Sequence, residues 1–414
     1  MSLLSDSRQP PKKYPIVRLQ APKRCPNFEA ALPKAKACFS TSALVQPGGV
    51  ILIGVGAGGN IPARTVSRFR LLDLPATATT RCRRYGTVGI AMSNGHPQPA
   101  RIAVVGTGNV GSTFAYALLL SGLAAEIVLI DANRAKAEGE AMDLQHTVPF
   151  AHPTRIWAGD YADCAGTIAT VIAAGVNQKP GETRIDLLKR NAAVFADVVP
   201  PVARHNPEGI LVIATNPVDV LTYVSLKLSG YAWQRVIGSG TILDTARFRH
   251  LLSQHFKVDS RSVHAHIIGE HGDSEVPVWS LANIAGMRLA DFCAAQNLAD
   301  DSAAMDEIFR QTRDAAQHII SRKGATYYAV AAGLMRIVEA IVRNQRTVLS
   351  VSSLVHDYYG IDDVCLSLPT VVSRSGIEWV LRLNLNEKEV EALQRSAAVL
   401  REIRGQLAIE ATSR

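Results

Sequence analysis

The chain of 414 residues contains no uninterrupted apolar run near the roughly 18–20 residues that a membrane-spanning helix requires, so a transmembrane protein is not expected. Cysteine is scarce: six residues, Cys25, Cys38, Cys82, Cys164, Cys293 and Cys365, with no close pair spaced as a metal or redox motif. That excludes a disulfide scaffold, gives no reason to expect a metal site and fits a reducing compartment. Acidic residues are nearly absent from one region only. Residues 1–91 hold 14 Lys and Arg against 3 Asp and Glu, whereas residues 92–414 hold 30 against 33. The formal charge of +8 therefore belongs to the leading segment, and the mildly acidic body gives no indication of nucleic-acid binding. With 47% apolar and 19% charged residues, the composition suits a large globular core.

The leading segment, 1–91, carries 9 of the 20 prolines and shows no sustained helical or strand period, so it reads as an irregular, basic extension. One piece imitates a nucleotide motif: Val50-Ile51-Leu52-Ile53 runs into Gly54-Val55-Gly56-Ala57-Gly58-Gly59. A dinucleotide loop needs a helix at once and an acidic strand end about 20 residues on. Here Pro62 interrupts, and no apolar strand precedes Asp73, so the imitation is expected to bind nothing. The segment fits an organelle leader, a polyanion-binding arm or an extension from an upstream start codon. The last is favoured, because the domain pattern begins just after Met92; an N-terminal peptide upstream of Met92 in the native protein would refute it.

The body opens with the complete version of that motif. Arg101-Ile102-Ala103-Val104-Val105 reads as a buried parallel strand leading into Gly106-Thr107-Gly108-Asn109-Val110-Gly111, a helix and a second strand, Glu126 to Ile130, ending in Asp131. Gly106 permits the tight turn, Gly108 lets backbone approach a pyrophosphate, and Gly111 lets helix pack on strand. The helix N-terminus offers free N–H groups to phosphates. Asp131 can accept ribose hydroxyls and would repel a 2′-phosphate, which favours NAD over NADP. Strands at 167–174 and 209–215 alternate with helices at about 182–199 and 217–229, giving a doubly wound parallel sheet of α/β class, a Rossmann domain. Ligands of such sheets lie beyond the strand C-termini, which directs attention to the segments after each strand.

Four polar clusters stand there. Gln178-Lys179-Pro180-Gly181-Glu182-Thr183-Arg184 is either a solvated loop or a lid carrying Arg184 to a substrate. Asp244 and Arg247 share a helix face, as a plain i,i+3 ion pair or as something more. His271 sits between glycines after the apolar strand 263–268, and Asn216-Pro217 follows another strand. Together they suit hydride transfer to a carbonyl. His271 would give the proton, Asp244 would orient and charge-balance the imidazole, Arg247 would clamp a carboxylate and Arg184 would polarise the carbonyl.

The Gly106–Gly111 loop, Asn177–Arg184, Ala214–Asp219, Asp244–Arg249, Gly269–Ser274 and Lys323–Tyr328 together resemble the L-lactate/malate dehydrogenase family, over about residues 98–410, and within it the bacterial lactate branch. The resemblance implies an NAD-binding Rossmann domain (92–241), an α+β substrate domain (242–414) and a cytoplasmic homotetramer reducing pyruvate to lactate in fermentative glycolysis. It assigns His271 as acid/base with Asp244 as partner, and Arg247, Arg184, Gln178, Asn216 and Thr326 to substrate. It places Gly106, Gly108, Asn109, Val110, Gly111, Asp131, Lys136, Tyr161, Gly175, Val176, Ala214, Thr215, Asn216 and Ser239 at the cofactor. Relatives selective for malate carry arginine where this chain has Gln178, so a neutral glutamine favours pyruvate over oxaloacetate, whose second carboxylate would be buried unpaired. The alternative is a malate or other 2-hydroxy-acid dehydrogenase of the family; a silent NAD-binding or polyanion-binding protein would not be expected to keep all four catalytic positions. Arg249 points away from the Arg247 face, and His264 precedes His271 by seven residues. Spacing alone leaves a surface arginine and an ordinary strand histidine as an equal reading; the resemblance implies that the pair is a fructose 1,6-bisphosphate activator site, which would weaken as His264 loses its proton. Neither nucleic acid nor membrane is expected as a partner.

Overall fold

The computed structural model describes the backbone of residues 41–46 and 49–54, and residues 100–176, 181–298 and 301–407. The chain divides into two units, Met1–Met92 and Ser93–Arg414. In the first, β1 (Thr41–Gln46) and β2 (Gly49–Gly54) form an antiparallel hairpin with Leu44 opposite Ile51. The extension, expected to lack a sustained period, holds this one hairpin among its described residues. Two apolar runs flank a Pro-Gly pair, which is a hairpin signal in its own right. The strand of the imitation motif is thus one arm of a hairpin, and Val55–Gly59 lie outside the described residues.

The second unit begins with β3 (Arg101–Val105), α1 (Asn109–Ser121), β4 (Glu126–Ile130), α2 (Arg134–Thr147), β5 (Arg155–Ala158), β6 (Ala169–Ile172), α3 (Arg184–His205), β7 (Ile210–Ile213), α4 (Val218–Ser229) and β8 (Val236–Gly238). The six strands are parallel in the order β5-β4-β3-β6-β7-β8, doubly wound about β3 as the βα alternation predicts. Helix α3 runs past Pro200 and Pro201 to His205, six residues beyond the expected end. Val199, Val202 and Ala203 are buried in the core there, and that packing holds the helical turn despite the missing N–H groups.

The chain continues through α5 (Ile242–Phe256), β9 (Val263–His264), β10 (Ile267–Ile268), β11 (Val276–Pro277), β12 (Asn283–Ile284), β13 (Met287–Arg288), α6 (Leu289–Ala295), α7 (Ser302–Lys323) and α8 (Tyr328–Val342). It closes with β14 (Thr347–Val355), β15 (Val364–Ser373), β16 (Gly376–Val380) and α9 (Glu387–Gly405). The expected strand 263–268 is two short strands in different sheets, β9 pairing β12 and β10 pairing β11. Between them the Ala265 carbonyl accepts from Arg249 Nε at 2.8 Å instead of from a neighbouring strand. The antiparallel strands β14–β16 extend the parallel sheet, Ser352 pairing with Gly238, so one sheet of nine strands runs through both halves.

Alternate residues of each central strand serve opposite faces. Ile102 and Val104 are buried with Phe114 and Leu118 of α1 and Leu334 and Ile337 of α8. Ala103 and Val105 are buried with Phe195 of α3, Leu221 of α4 and Leu393 of α9. A smaller cluster joins Phe248 and Leu252 of α5 to Ile308 of α7. Among the described residues, no helix is long and apolar enough to cross a membrane.

Candidate active site

The first glycine loop is closed by contacts that only glycine permits. Gly106 has φ +97°, and a Cβ there would stand 2.4 Å from the Ala174 backbone nitrogen; one on Gly111 would stand 1.9 Å from the Gly106 oxygen. Gly108 differs: a Cβ there would meet nothing within 4 Å, so its bareness leaves space open beside the loop. Gly108 caps α1 without a side-chain hydrogen bond, and the first turn holds no acidic residue. The amides of Asn109, Val110 and Gly111 and the positive helix end therefore face that space without a side-chain cap, which suits a phosphate. Asp131 at the end of β4 accepts from the Thr107 backbone and hydroxyl (2.7 and 2.9 Å) and from the Asn133 amide (2.9 Å). Burial alone would raise its pKa; these hydrogen bonds, with Lys136 nearby, bring it below the ordinary value and keep the carboxylate charged. Tyr161 is half-buried within the electrostatic reach of Asp131, and burial raises its pKa.

Two further post-strand segments are tied together by a residue that sequence reasoning missed. Asn191 of α3, 1% exposed, accepts from the Val176 amide at 2.8 Å and donates to the Asn216 carbonyl at 3.0 Å. Thr215 Oγ1 donates to the Ala174 carbonyl at 2.7 Å, and Gly175 has no room for a side chain against Thr215. The Asn216–Pro217 peptide is cis. A polar residue facing the apolar side of a helix was the available signal for Asn191.

Helix α5 is fastened to β10: Thr241 Oγ1 donates to the Ile267 carbonyl at 2.6 Å, and Thr245 Oγ1 accepts from the Ile267 amide at 3.1 Å. β10 then enters the loop Gly269–Glu275 and returns as β11, a hairpin with His271 near its tip. The backbone amide of His271 donates to Asp219 Oδ2 at 2.7 Å, and that of Glu270 donates to Ser396 Oγ of α9 at 2.8 Å. Thus anchored, His271 Nδ1 meets Asp244 Oδ2 at 2.5 Å, while Asp244 Oδ1 accepts from Arg247 Nη1 at 3.0 Å. Burial would push the imidazole pKa down. The Asp244 carboxylate reverses this by charge and hydrogen bond, Asp219 and Glu275 add to it, and the pKa rises to about 9. Burial also opposes ionisation of Asp244, yet His271 and Arg247 bring its pKa below the usual value. Asp219, 2% exposed and also missed, is pushed up to about 6 by burial; its Oδ1 lacks a hydrogen bond of good geometry among the described residues, although the Ser352 hydroxyl and the His271 amide moderate the shift.

A pocket of about 140 Å³ opens on this pair, lined by Val110, Ala214, Asn216, Ser239, Arg247, His271 and Thr326, with Ala316 and Ile320 of α7 adding apolar wall. Seven expected residues, four of them assigned to cofactor, thus converge on one space; Asp131, Lys136 and Tyr161 do not line it. Arg247 Nη2 is buried without a partner among the described residues, an arrangement suited to an anionic ligand. Gln178 lies outside the described residues. Arg184 is the first residue of α3, placed in backbone only. Arg249 lies off the pocket, its pKa lowered by burial, and His264 is exposed on β9. His266, on which both act, is pushed down to about 4, by burial first and then by Arg249 and His264.

Comparison with known proteins agrees with this architecture. The model of the "lactate/malate dehydrogenase, NAD binding domain" matches residues 100–238, and that of the "lactate/malate dehydrogenase, alpha/beta C-terminal domain" matches 241–408. The L-lactate dehydrogenase of Acetivibrio thermocellus is 55% identical over 303 residues, 73% of this chain and 96% of the relative. A probable L-lactate dehydrogenase of Schizosaccharomyces pombe is 54% identical over 289 residues, 70% of this chain and 87% of the relative. Among solved structures, the ligand-bound minor L-lactate dehydrogenase of Enterococcus mundtii superposes with a TM-score of 0.73 at 38% identity, covering 75% of this chain and 99% of that one. A lactate dehydrogenase from a Medee basin deep-sea metagenome gives 0.72 at 47% identity, covering 74% and 98%. The glycine loop, the paired His271 and Asp244 and both domain matches lead to one conclusion: this chain belongs to the lactate/malate dehydrogenase family.

Proposed function

We propose that the chain is an NAD-dependent L-lactate dehydrogenase that reversibly reduces pyruvate. The observation that carries this reading is the buried Arg247 Nη2, without a partner among the described residues, in the same pocket as a histidine held by a buried carboxylate. The phosphates of the dinucleotide would lie on the amides that begin α1, with Asp131 at a ribose. The chemistry supplied by bound NADH is hydride donation. Everything else falls to the chain. Arg247 takes the substrate carboxylate, and His271, its Nδ1 occupied by Asp244, presents Nε2 to the carbonyl oxygen. As negative charge develops on that oxygen, the Nε2 proton moves to it, and Asp244 steadies the imidazole throughout. In the lactate direction the neutral ring takes the hydroxyl proton back. Pyruvate reduction therefore requires protonated His271 and falls as pH rises through about 9. Arg184 is assigned to polarise the carbonyl. The assay is NADH oxidation by the full chain with pyruvate and oxaloacetate in parallel; no turnover of pyruvate would overturn the reading.

Gln178 is the reason for choosing lactate over malate. Gln178→Arg is expected to shift the pyruvate-to-oxaloacetate ratio of kcat/KM towards oxaloacetate by on the order of a thousandfold, the scale of pairing an otherwise unpaired buried carboxylate. An unchanged ratio would refute this role.

The same reading includes a cytoplasmic homotetramer working in fermentative glycolysis, and fructose 1,6-bisphosphate as activator. What supports the activator is that neither Arg249 nor exposed His264 lines the pocket, while the Arg249 guanidinium donates to the carbonyl of Ala265, the residue after His264. The bisphosphate is expected to lower the pyruvate KM at mildly acidic or neutral pH, and Arg249→Gln to remove that response. Identical pyruvate KM values with and without the bisphosphate would remove the activator from the reading.

A further inference from the structure

The hairpin that carries His271 closes on a second buried acid. Glu275 is 7% exposed and directly precedes β11, its amide donating to the Gly272 carbonyl at 3.2 Å, so it is fixed to the loop whose tip bears the histidine. Its Oε1 is buried without a hydrogen-bond partner among the described residues. A carboxyl left in that condition is costly, and no part of the reaction described so far uses it. The groups that act on it come from three elements: Asp244 and Arg247 of α5, His271 of its own loop and Arg313 of α7. Asp219 of α4 acts on His271 from elsewhere.

We propose that Glu275 is a positioning residue for the proton on His271, a reserve carboxylate that joins Asp244 in retaining that proton when the solution turns alkaline. This rests on the lactate dehydrogenase reading of the site. Burial, and then the charge of Asp244, raise the Glu275 pKa to about 8. At neutral pH the carboxyl is therefore uncharged, which spares a substrate anion at Arg247 from a second buried negative charge. Glu275 thus gains its charge in the alkaline range in which His271 would lose its proton, and that charge, facing the same hairpin, opposes the loss.

The test is Glu275→Gln in the full chain, a replacement of the same shape that never ionises, with Glu275→Asp as the variant that retains an acid. The His271 imidazole is followed by nuclear magnetic resonance across pH without cofactor, and kcat/KM for pyruvate reduction is followed across the same range. In Glu275→Gln, the imidazole titration and the alkaline limb of kcat/KM should both move down by about one pH unit, and Glu275→Asp should recover part of the shift. A merely structural glutamate would lower activity at every pH and leave both midpoints in place; that result overturns the proposal. If pyruvate is not turned over at all, the lactate reading fails, while the imidazole titration still decides the role of Glu275.

Discussion

Asp244→Asn is expected to cut kcat/KM for pyruvate reduction by on the order of ten-thousandfold, the scale seen when the carboxylate behind a catalytic histidine is replaced by its amide. Its alkaline limb should also move from about pH 9 to below the ordinary histidine value of about 6.5. Two effects combine. The amide can donate to Nδ1 and so stabilise the tautomer that carries its proton on the wrong nitrogen. Burial, which already pushes the imidazole towards neutrality, would then act without its main opponent. The ring would seldom be charged at neutral pH. A pH series of kcat/KM checks this, and a limb within half a unit of the parent would contradict it. Stability carries the same signature. The folded protein holds the His271 proton more tightly than the unfolded chain does, so this contribution is complete below about pH 6.5 and is lost as pH rises through about 9. The parent Tm should fall over that window, and the Asp244→Asn variant should lose this dependence.

Arg247→Lys, although it preserves charge, is expected to reduce kcat/KM for pyruvate by about ten- to a hundredfold, from the loss of the charge-assisted hydrogen bond of about 1.5–3 kcal/mol that the free arm offers a ligand. The guanidinium divides its work: Nη1 is held by Asp244 at 3.0 Å, and Nη2 is buried without a partner among the described residues. A planar fork can serve the structural carboxylate with one arm and a ligand with the other. An ammonium at the end of a flexible stem must choose. The pairing with Asp244 is the nearer choice, so substrate capture is what fails, and KM should rise more than kcat falls. Measuring both constants separates these. A change confined to kcat would assign Arg247 to the chemical step instead of to the clamp.

Much of this was legible in local pattern. The strand, glycine loop, helix and acidic strand end from Arg101 to Asp131 are contiguous, and each has one mechanical meaning, so the cofactor half could be read directly. His271, Asp244 and Arg247 were also legible as residue types suited to one chemistry. Their contact was not, because Asp244 and His271 are 27 residues apart and meet only through the threonines that fasten α5 to β10. Asp219 and Glu275 gave no periodic signal; what distinguishes them is burial, which one sequence does not display. The apolar run 263–268 concealed a change of sheet, since an apolar strand reads alike whether its partners change midway or not. The prolines of α3 misled because local propensity counts their missing N–H groups but not the buried valines around them.

The antiparallel strands β14–β16 have a consequence for how this gene could be cut and recombined. Two family domains abut near residue 240, which invites treating them as exchangeable modules. Yet β14 covers the flank of β8 through Ser352 and Gly238, and α8 from the second half is buried with α1 of the first. A fragment ending at Gly238 would keep all six parallel strands while baring a strand edge and an apolar helix face at once, the pairing that drives chains to aggregate. The chemistry can be divided between two halves on paper, but within residues 93–414 the sheet and its helix packing cross that boundary, and a chimaera that respected the motif boundary would have to bring its own β14 and α8.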